Sequence, residues 1–298
     1  MGLSPAALPI FKRGATMVPD RILRLGKNLY RADRNWLRLP ANRVLGDVSD
    51  VAADGKGRIL LLQREKAFLL VFSARGTLED LWENEGLTDG HSVSAAPDGR
   101  VIVVDRDGHR VVIFGPEGDI RQVMGDRGKP GRMGLPFNHP THAALNAGGD
   151  LFVSDGYGNY SVHHFDPAGD LLHSWGRPGR GPGEFSTPHS ILVDRSGRVL
   201  VADRENNRIQ CFEQDGTFMG EMGGLFHPMS LAEDAEGLIY ATDQASRMHV
   251  FHSTGEQLGS CRTFGTYAHG MALDQDGNIF TAEMMPNRVT KMEKIGEC

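Results

Sequence analysis

The chain has 298 residues, including 38 glycines and 15 prolines, and a formal net charge of -6 at pH 7. Lysine and arginine are scattered along this acidic chain, so it has no basic field and nucleic acid is not expected as a partner. No apolar run approaches the roughly 20 residues of a membrane helix, and the short apolar segment at the N-terminus predicts that it is not a signal peptide. The three cysteines form no CxxC pair, which predicts a reducing, cytoplasmic location and excludes a cysteine-ligated zinc site.

The N-terminal region is predicted to have two parts. Residues 1–17 are expected to be a tail, and residues 18–298 a single domain, because no linker divides the rest of the chain. The stretch from Val18 to Pro40 contains the segments RILRL and NWLRLP. The last repeat of the chain is one strand short after VTKMEKIGEC, so we expect the N-terminal stretch to supply its outer strand and close a ring.

Six sequence repeats follow, each built from short β-branched runs joined by glycine turns. The first turn of each repeat reads DGKGR, PDGRV, AGGDL, RSGRV, AEGLI or QDGNI. Glycine supplies the positive φ that a tight hairpin needs. The repeats are about 40 to 50 residues long, the period of a four-stranded propeller blade. The sequence therefore predicts an all-β, six-bladed β-propeller of four-stranded blades.

One position of the repeat carries histidine in every second blade. The six equivalent residues start the predicted innermost strands: Ser49, His91, Thr141, His189, Met229 and His269. Alternate blades of a six-bladed ring lie about 120° apart, so the three imidazoles are expected to converge on the central channel. Three histidines leave one position of a tetrahedral zinc ion open, as in catalytic sites. Zinc is favoured over iron, cobalt or manganese because no carboxylate is placed to join them. The alternative is a chance alignment of hydrogen-bonded structural histidines.

A second ring of equivalent residues follows the next strand of each repeat. Its members are Arg64, Arg106, Tyr157, Arg204, Gln244 and Met284. Arginines on one rim predict an anionic substrate group, and a carboxylate matches the forked guanidinium well. The alternative is that these arginines pair with an Asp of a neighbouring blade. A tyrosine beside arginine and a metal is a candidate base.

These motifs resemble a known family. Residues 137 to 214, with HPTH, VSDGYGN, GPGEFSTPHS and VADRENNRIQCF, are similar to the catalytic core of NHL-repeat peptidyl-α-hydroxyglycine α-amidating lyases. The family's zinc-binding histidines lie in motifs that match GHS, PHS and AHG, which implies that role for His91, His189 and His269. The resemblance also implies a catalytic role for Tyr157, in DGYGN. It implies active-site roles for Arg64 and Arg204, in QR and DRENNR.

The chain departs from this family at four points. The family's structural calcium uses an Asp directly after the third histidine, and Gly270 stands there, which argues against calcium. Its disulfide cysteines would fall at Leu200 and Gly158. His142 replaces an Asp of the family motif and is predicted to bind the substrate. The alternatives are a donor that supports the metal ligands, a merely structural residue and a fourth metal ligand. Arg106 is additional and predicts a second anionic group on the substrate.

The resemblance implies a zinc-dependent lyase that cleaves an N-substituted α-hydroxyglycine to an amide and glyoxylate. A small carboxylate-bearing metabolite is the expected substrate, and no membrane or nucleic-acid partner is expected. The first alternative is a zinc-dependent hydrolase of lactones or amides, since a three-histidine zinc ion also activates water. The second is a non-catalytic NHL interaction scaffold. The pattern leaves the oligomeric state open.

Overall fold

The computed structural model describes residues 21–64, 68–83 and 86–298. In these ranges, 25 strands form six antiparallel sheets, which confirms the predicted six-bladed propeller. Two strands, β1 (Arg21–Leu25) and β2 (Asn28–Asp33), precede the first blade. Helical structure in the described part is limited to one 3-10 turn, Arg204–Asn206. No helix there is long and apolar enough to cross a membrane.

The blades follow one another along the chain, and five of the six have four strands. Blade one comprises β3 (Val48–Ala53), β4 (Ile59–Gln63), β5 (Leu69–Phe72) and β6 (Leu78–Trp82). Blade two comprises β7 (Gly90–Ala95), β8 (Val101–Asp105), β9 (Arg110–Phe114) and β10 (Ile120–Met124). Blade three comprises β11 (His142–Leu145), β12 (Leu151–Asp155), β13 (Ser161–Phe165) and β14 (Leu171–Trp175).

The remaining blades continue this order. Blade four comprises β15 (Pro188–Val193), β16 (Val199–Asp203), β17 (Arg208–Phe212) and β18 (Phe218–Met222). Blade five comprises β19 (Pro228–Glu233), β20 (Ile239–Asp243), β21 (Arg247–Phe251) and β22 (Gln257–Arg262). Blade six takes β23 (Thr266–Leu273), β24 (Ile279–Met285) and β25 (Asn287–Glu297) from the end of the chain.

The hydrophobic core lies between neighbouring blades. In blades one to five the second strand is buried along its whole length, as in VIVVD of β8 and VLVAD of β16, and in blade six the first five residues of β24 are buried. Such β-branched runs suit a strand that is covered on both faces. The outermost strands alternate, as in QLGSCR of β22, because one of their faces meets water. This packing holds the innermost strands rigidly around the channel.

Blade six is closed by the N-terminus, as the sequence predicts. Strand β2 pairs with β25 from Asn28 opposite Glu297 to Asp33 opposite Lys291, and β1 adds a fifth strand outside β2. The NWLRLP segment does not join this sheet. Its Trp36 packs against Phe72 of blade one and Phe280 of blade six, with ring centroids 6.0 and 5.0 Å apart. Residues 1–17 and 18–20 lie outside the described residues, so the predicted domain boundary stays a prediction.

Deleting residues 1–40 is expected to prevent stable folding. The deletion removes the buried Leu25, Tyr30 and Trp36 and exposes the edge of β25. Truncating one large buried side chain costs about 2 to 5 kcal/mol, while a native domain is stable by only about 5 to 15 kcal/mol. Thermal unfolding of the truncated chain measures the effect, and deletion of residues 1–20 is the matched control. A cooperative transition at the parent temperature in the longer deletion would contradict the closure.

Candidate active site

The three channel histidines are placed by irregularities in the innermost strands. In blade two, Gly90 lies opposite Asp105 but Ser92 lies opposite Val104, so His91 between them has no cross-strand partner. The same register shift occurs at His189 in blade four and at His269 in blade six. A β-bulge of this kind re-aims one side chain out of the regular alternation. The bulges therefore direct the three imidazoles toward the centre of the ring.

The imidazoles of His91, His189 and His269 meet as the sequence predicts. Their ring centroids are 4.8 to 5.0 Å apart, and all three residues are buried. One ring nitrogen from each lies within 4.8 Å of the others. The geometry therefore permits all three to bind one ion.

Backbone carbonyls of the intervening blades fix the orientation of each ring. The Nδ1 atoms of His91, His189 and His269 lie 2.7, 2.7 and 2.8 Å from the carbonyl oxygens of Thr141, Met229 and Ser49. A carbonyl only accepts hydrogen bonds, so each Nδ1 carries the proton and each Nε2 of a neutral ring carries a lone pair. Nε2 of His189 is buried and has no hydrogen-bond partner among the described residues. A metal ion would satisfy it.

The electrostatics of the channel keep these rings neutral. Burial lowers the pKa of His269 to about 3, with the positive charge of Arg64 acting in the same direction. Burial also lowers the pKa of His91 and His189 well below the usual range, as do neighbouring histidines. A metal-binding histidine must be deprotonated, so the lone pairs are available without loss of a proton. The residues present fit a zinc ion held by three imidazoles.

Tyr157 lies directly beside the histidines. Its hydroxyl oxygen is 3.1 Å from Nε2 of His91 and accepts a hydrogen bond of 3.2 Å from Nη1 of Arg204. The guanidinium carbons of Arg204 and Arg106 lie 5.2 and 5.7 Å from the centroid of the tyrosine ring. The phenol is thus in contact with two guanidinium groups and lies next to the imidazole cluster.

Arg64 and Arg106 share one carboxylate that the sequence interpretation did not single out. Nη1 of Arg64 donates to Oδ2 of Asp89 at 3.2 Å, and Nη2 of Arg106 contacts the same oxygen. Arg106 also forms an ion pair of 2.8 Å with Asp107. Nε of Arg64 is buried and has no partner in the described part of the chain. The Arg64 guanidinium therefore keeps one hydrogen-bond donor without an acceptor among the described residues. Asp89 precedes His91 by two residues, and this closeness to a predicted metal ligand could have indicated from the sequence that Asp89 lies near the site.

His142 occupies the next layer of the channel, with the unexpected partner Asp50. Its Nε2 lies 3.8 Å from Oδ2 of Asp50, and it is not part of the three-histidine group. Burial lowers the pKa of His142 to about 4 and raises that of Asp50 to about 8. A Cβ on Gly270 would lie 1.9 Å from Oδ1 of Asp50. The glycine that departs from the family motif therefore leaves space for this carboxylate.

Sequence comparison places the chain among known proteins. The NHL repeat family model matches residues 185–212. Human NHL repeat-containing protein 3 is 31% identical over 90% of this chain and 85% of its own length. The chain belongs to the NHL-repeat family. This confirms the family resemblance predicted from the motifs.

Two further comparisons concern an enzyme sequence and a solved structure. A probable peptidyl-alpha-hydroxyglycine alpha-amidating lyase of Caenorhabditis elegans is 30% identical over 59% of this chain, and the match spans 55% of that protein. Among solved structures, a gluconolactonase from Xanthomonas campestris has a TM-score of 0.70 at 14% identity, with 93% of this chain and 95% of that chain covered. At this identity the structural likeness concerns the fold alone.

Proposed function

We propose that this NHL-repeat protein is a metal-dependent lyase that cleaves N-substituted α-hydroxyglycines into an amide and glyoxylate. The observation that carries the proposal is the position of the Tyr157 hydroxyl, between Nε2 of His91 and Nη1 of Arg204. A base there adjoins both the candidate metal ligands and a fixed cation. The similarity to a probable amidating lyase of Caenorhabditis elegans supports the same reaction.

The side chains have distinct roles in this proposal. His91, His189 and His269 would hold zinc, which supplies Lewis acidity to the substrate hydroxyl oxygen. Arg64, whose Nε has no partner among the described residues, binds the substrate carboxylate. Arg204 holds the Tyr157 oxygen in place. His142, next to the ligands, is assigned a supporting role, and Arg106 contacts the substrate from the rim.

Tyr157 alone carries the proton that moves during the reaction. Tyr157 as a phenolate accepts the proton of the substrate hydroxyl, the carbon–oxygen bond becomes a carbonyl, and the carbon–nitrogen bond breaks. The amide nitrogen leaves with the electron pair of that bond and takes the proton back from Tyr157. The products are glyoxylate and a primary amide, and the enzyme returns to its initial state. General acid–base catalysis of this kind contributes about 10²- to 10⁴-fold in rate.

The test combines metal analysis with product detection. Protein purified without chelators is expected to contain about one divalent ion per chain, because the cluster of His91, His189 and His269 offers three ligands to one ion. It should release glyoxylate from N-benzoyl-α-hydroxyglycine and related carbinolamides. Chelation should abolish release, and added zinc should restore it. Turnover of lactones without glyoxylate release from any carbinolamide would favour the hydrolase alternative, which the gluconolactonase-like fold also permits.

Replacing Arg64 with alanine is expected to raise KM for carboxylate-bearing substrates by about 10- to 100-fold. This is the loss of binding expected when one charge-assisted hydrogen-bonded contact is removed. Arg64→Lys keeps the charge but loses the fork, so it should recover only part of the affinity. The neutral methyl ester of the same substrate is the control, and its KM should change little. An equal rise in KM for acid and ester would show that Arg64 does not bind the carboxylate.

A further inference from the structure

A compact cluster of charged groups lies on the channel rim beside Tyr157. Asp89 accepts hydrogen bonds from both Arg64 and Arg106 through the same oxygen, Oδ2. Its side chain is only 11% exposed. Its own backbone is held on both sides: its N–H donates to Oδ1 of Asp105 at 2.8 Å, and its carbonyl accepts from the N–H of Arg106 at 2.9 Å. Asp89 is therefore a fixed carboxylate within the rim.

The charges of the rim are nearly balanced before any substrate binds. Arg106 has two carboxylate partners, Asp89 and Asp107. The third arginine, Arg204, pairs with Glu205 at 2.8 Å. Arg64 has only its share of Asp89, and its buried Nε has no partner among the described side chains. Among the described residues of the rim, Arg64 thus keeps a guanidinium donor without an acceptor, to which one carboxylate can bind.

We propose that Asp89 determines substrate specificity by restricting the site to monocarboxylates. A first carboxylate binds Arg64 at its unpartnered donor, while a second one near Arg106 meets the negative charges of Asp89 and Asp107. This inference rests on the proposed function, because it takes the three-histidine channel as the substrate site. It differs from the sequence-based expectation that Arg106 binds a second anionic group on the substrate. That expectation stays a prediction, and it predicts that a dicarboxylate binds more tightly than a monocarboxylate.

Two ligands of nearly equal length test the proposal. 2-Hydroxybutanoate ends in a methyl group, and 2-hydroxysuccinate has a second carboxylate in its place. Calorimetric titration of the zinc-loaded protein should give at least tenfold tighter binding of the monocarboxylate. Asp89→Asn should reduce this preference about tenfold, since it removes one charge from a partly buried site a few ångströms from the second carboxylate. Asp107→Asn is the matched control. Asp107 is 45% exposed, so the preference should change by less than about threefold.

Arg106→Gln provides an independent variant if Asp89→Asn does not fold. With Asp89 retained and its neighbouring cation removed, the preference for the monocarboxylate should increase. Tighter binding of 2-hydroxysuccinate by the parent, lost in Arg106→Gln, would overturn the proposal in favour of a second anionic group. An Asp89→Asn protein with the parent preference would overturn it as well, as would a parent that binds neither acid.

Glyoxylate release by the same parent protein separates this inference from the proposed reaction. Monocarboxylate selectivity without glyoxylate release would support the role of Asp89 and reject the lyase. Glyoxylate release without selectivity would support the lyase and reject the role of Asp89.

Discussion

Replacing His189 with alanine is expected to remove the metal from the protein and with it the activity. The variant deletes one of three candidate ligands, and it removes an Nε2 atom that is buried and has no hydrogen-bond partner among the described residues. Loss of groups that merely orient a ligand typically costs 10- to 100-fold in metal affinity, so loss of the ligand itself should cost on the order of 10²-fold or more. Metal content per chain and glyoxylate release measure the two effects.

The control for this variant is His252→Ala. His252 is exposed on blade five, where its Nδ1 contacts the hydroxyl of Thr254 at 2.9 Å. The control should keep the parent metal content and activity. Thermal unfolding of the chelated parent and chelated His189→Ala protein shows whether the fold survives the substitution itself. Parent metal content in folded His189→Ala protein would contradict the three-histidine site.

Tyr157→Phe is expected to lower kcat by about 10² to 10⁴ while metal content stays unchanged. The variant removes only the phenolic oxygen, the atom that contacts His91 and Arg204. The ring and its contacts with the two guanidinium groups remain, so the channel should keep its shape. Steady-state kinetics on a carbinolamide that the parent cleaves measures the change.

Tyr160→Phe is the matched control, since Tyr160 lies three residues further on and packs in the core between blades three and four. Its kcat should remain within about twofold of the parent. If Tyr157→Phe also keeps near-parent turnover, Tyr157 is structural and a metal-activated water becomes the better explanation. Lactones and amides would then be the first substrates to assay. Arg204→Ala should lower kcat as well, because Arg204 holds the tyrosine oxygen.

The sequence alone was sufficient to predict the six-bladed architecture. Glycine turns and β-branched runs recur once per blade, and each repeat is a local unit that pairs mainly with itself. The same regularity put His91, His189 and His269 in phase, so their convergence followed from counting residues. Closure by the N-terminus was also predictable, because the last repeat lacked a strand. The second added strand, β1, and the packing of Trp36 between blades one and six were not predicted.

Only the tertiary structure showed which residues of the candidate site form hydrogen bonds and ion pairs with one another. The contacts that orient the histidines join residues far apart in sequence, as between His269 and the carbonyl of Ser49, 220 positions away. The same holds for the pairing of Arg64 with Asp89 and for the carboxylate of Asp50 in the space beside Gly270. No local pattern encodes such pairs, because they depend on the angle at which neighbouring blades meet and on which polar atoms burial leaves in contact. Repeat spacing determined which residues face the channel, and inter-blade packing determined which of them touch.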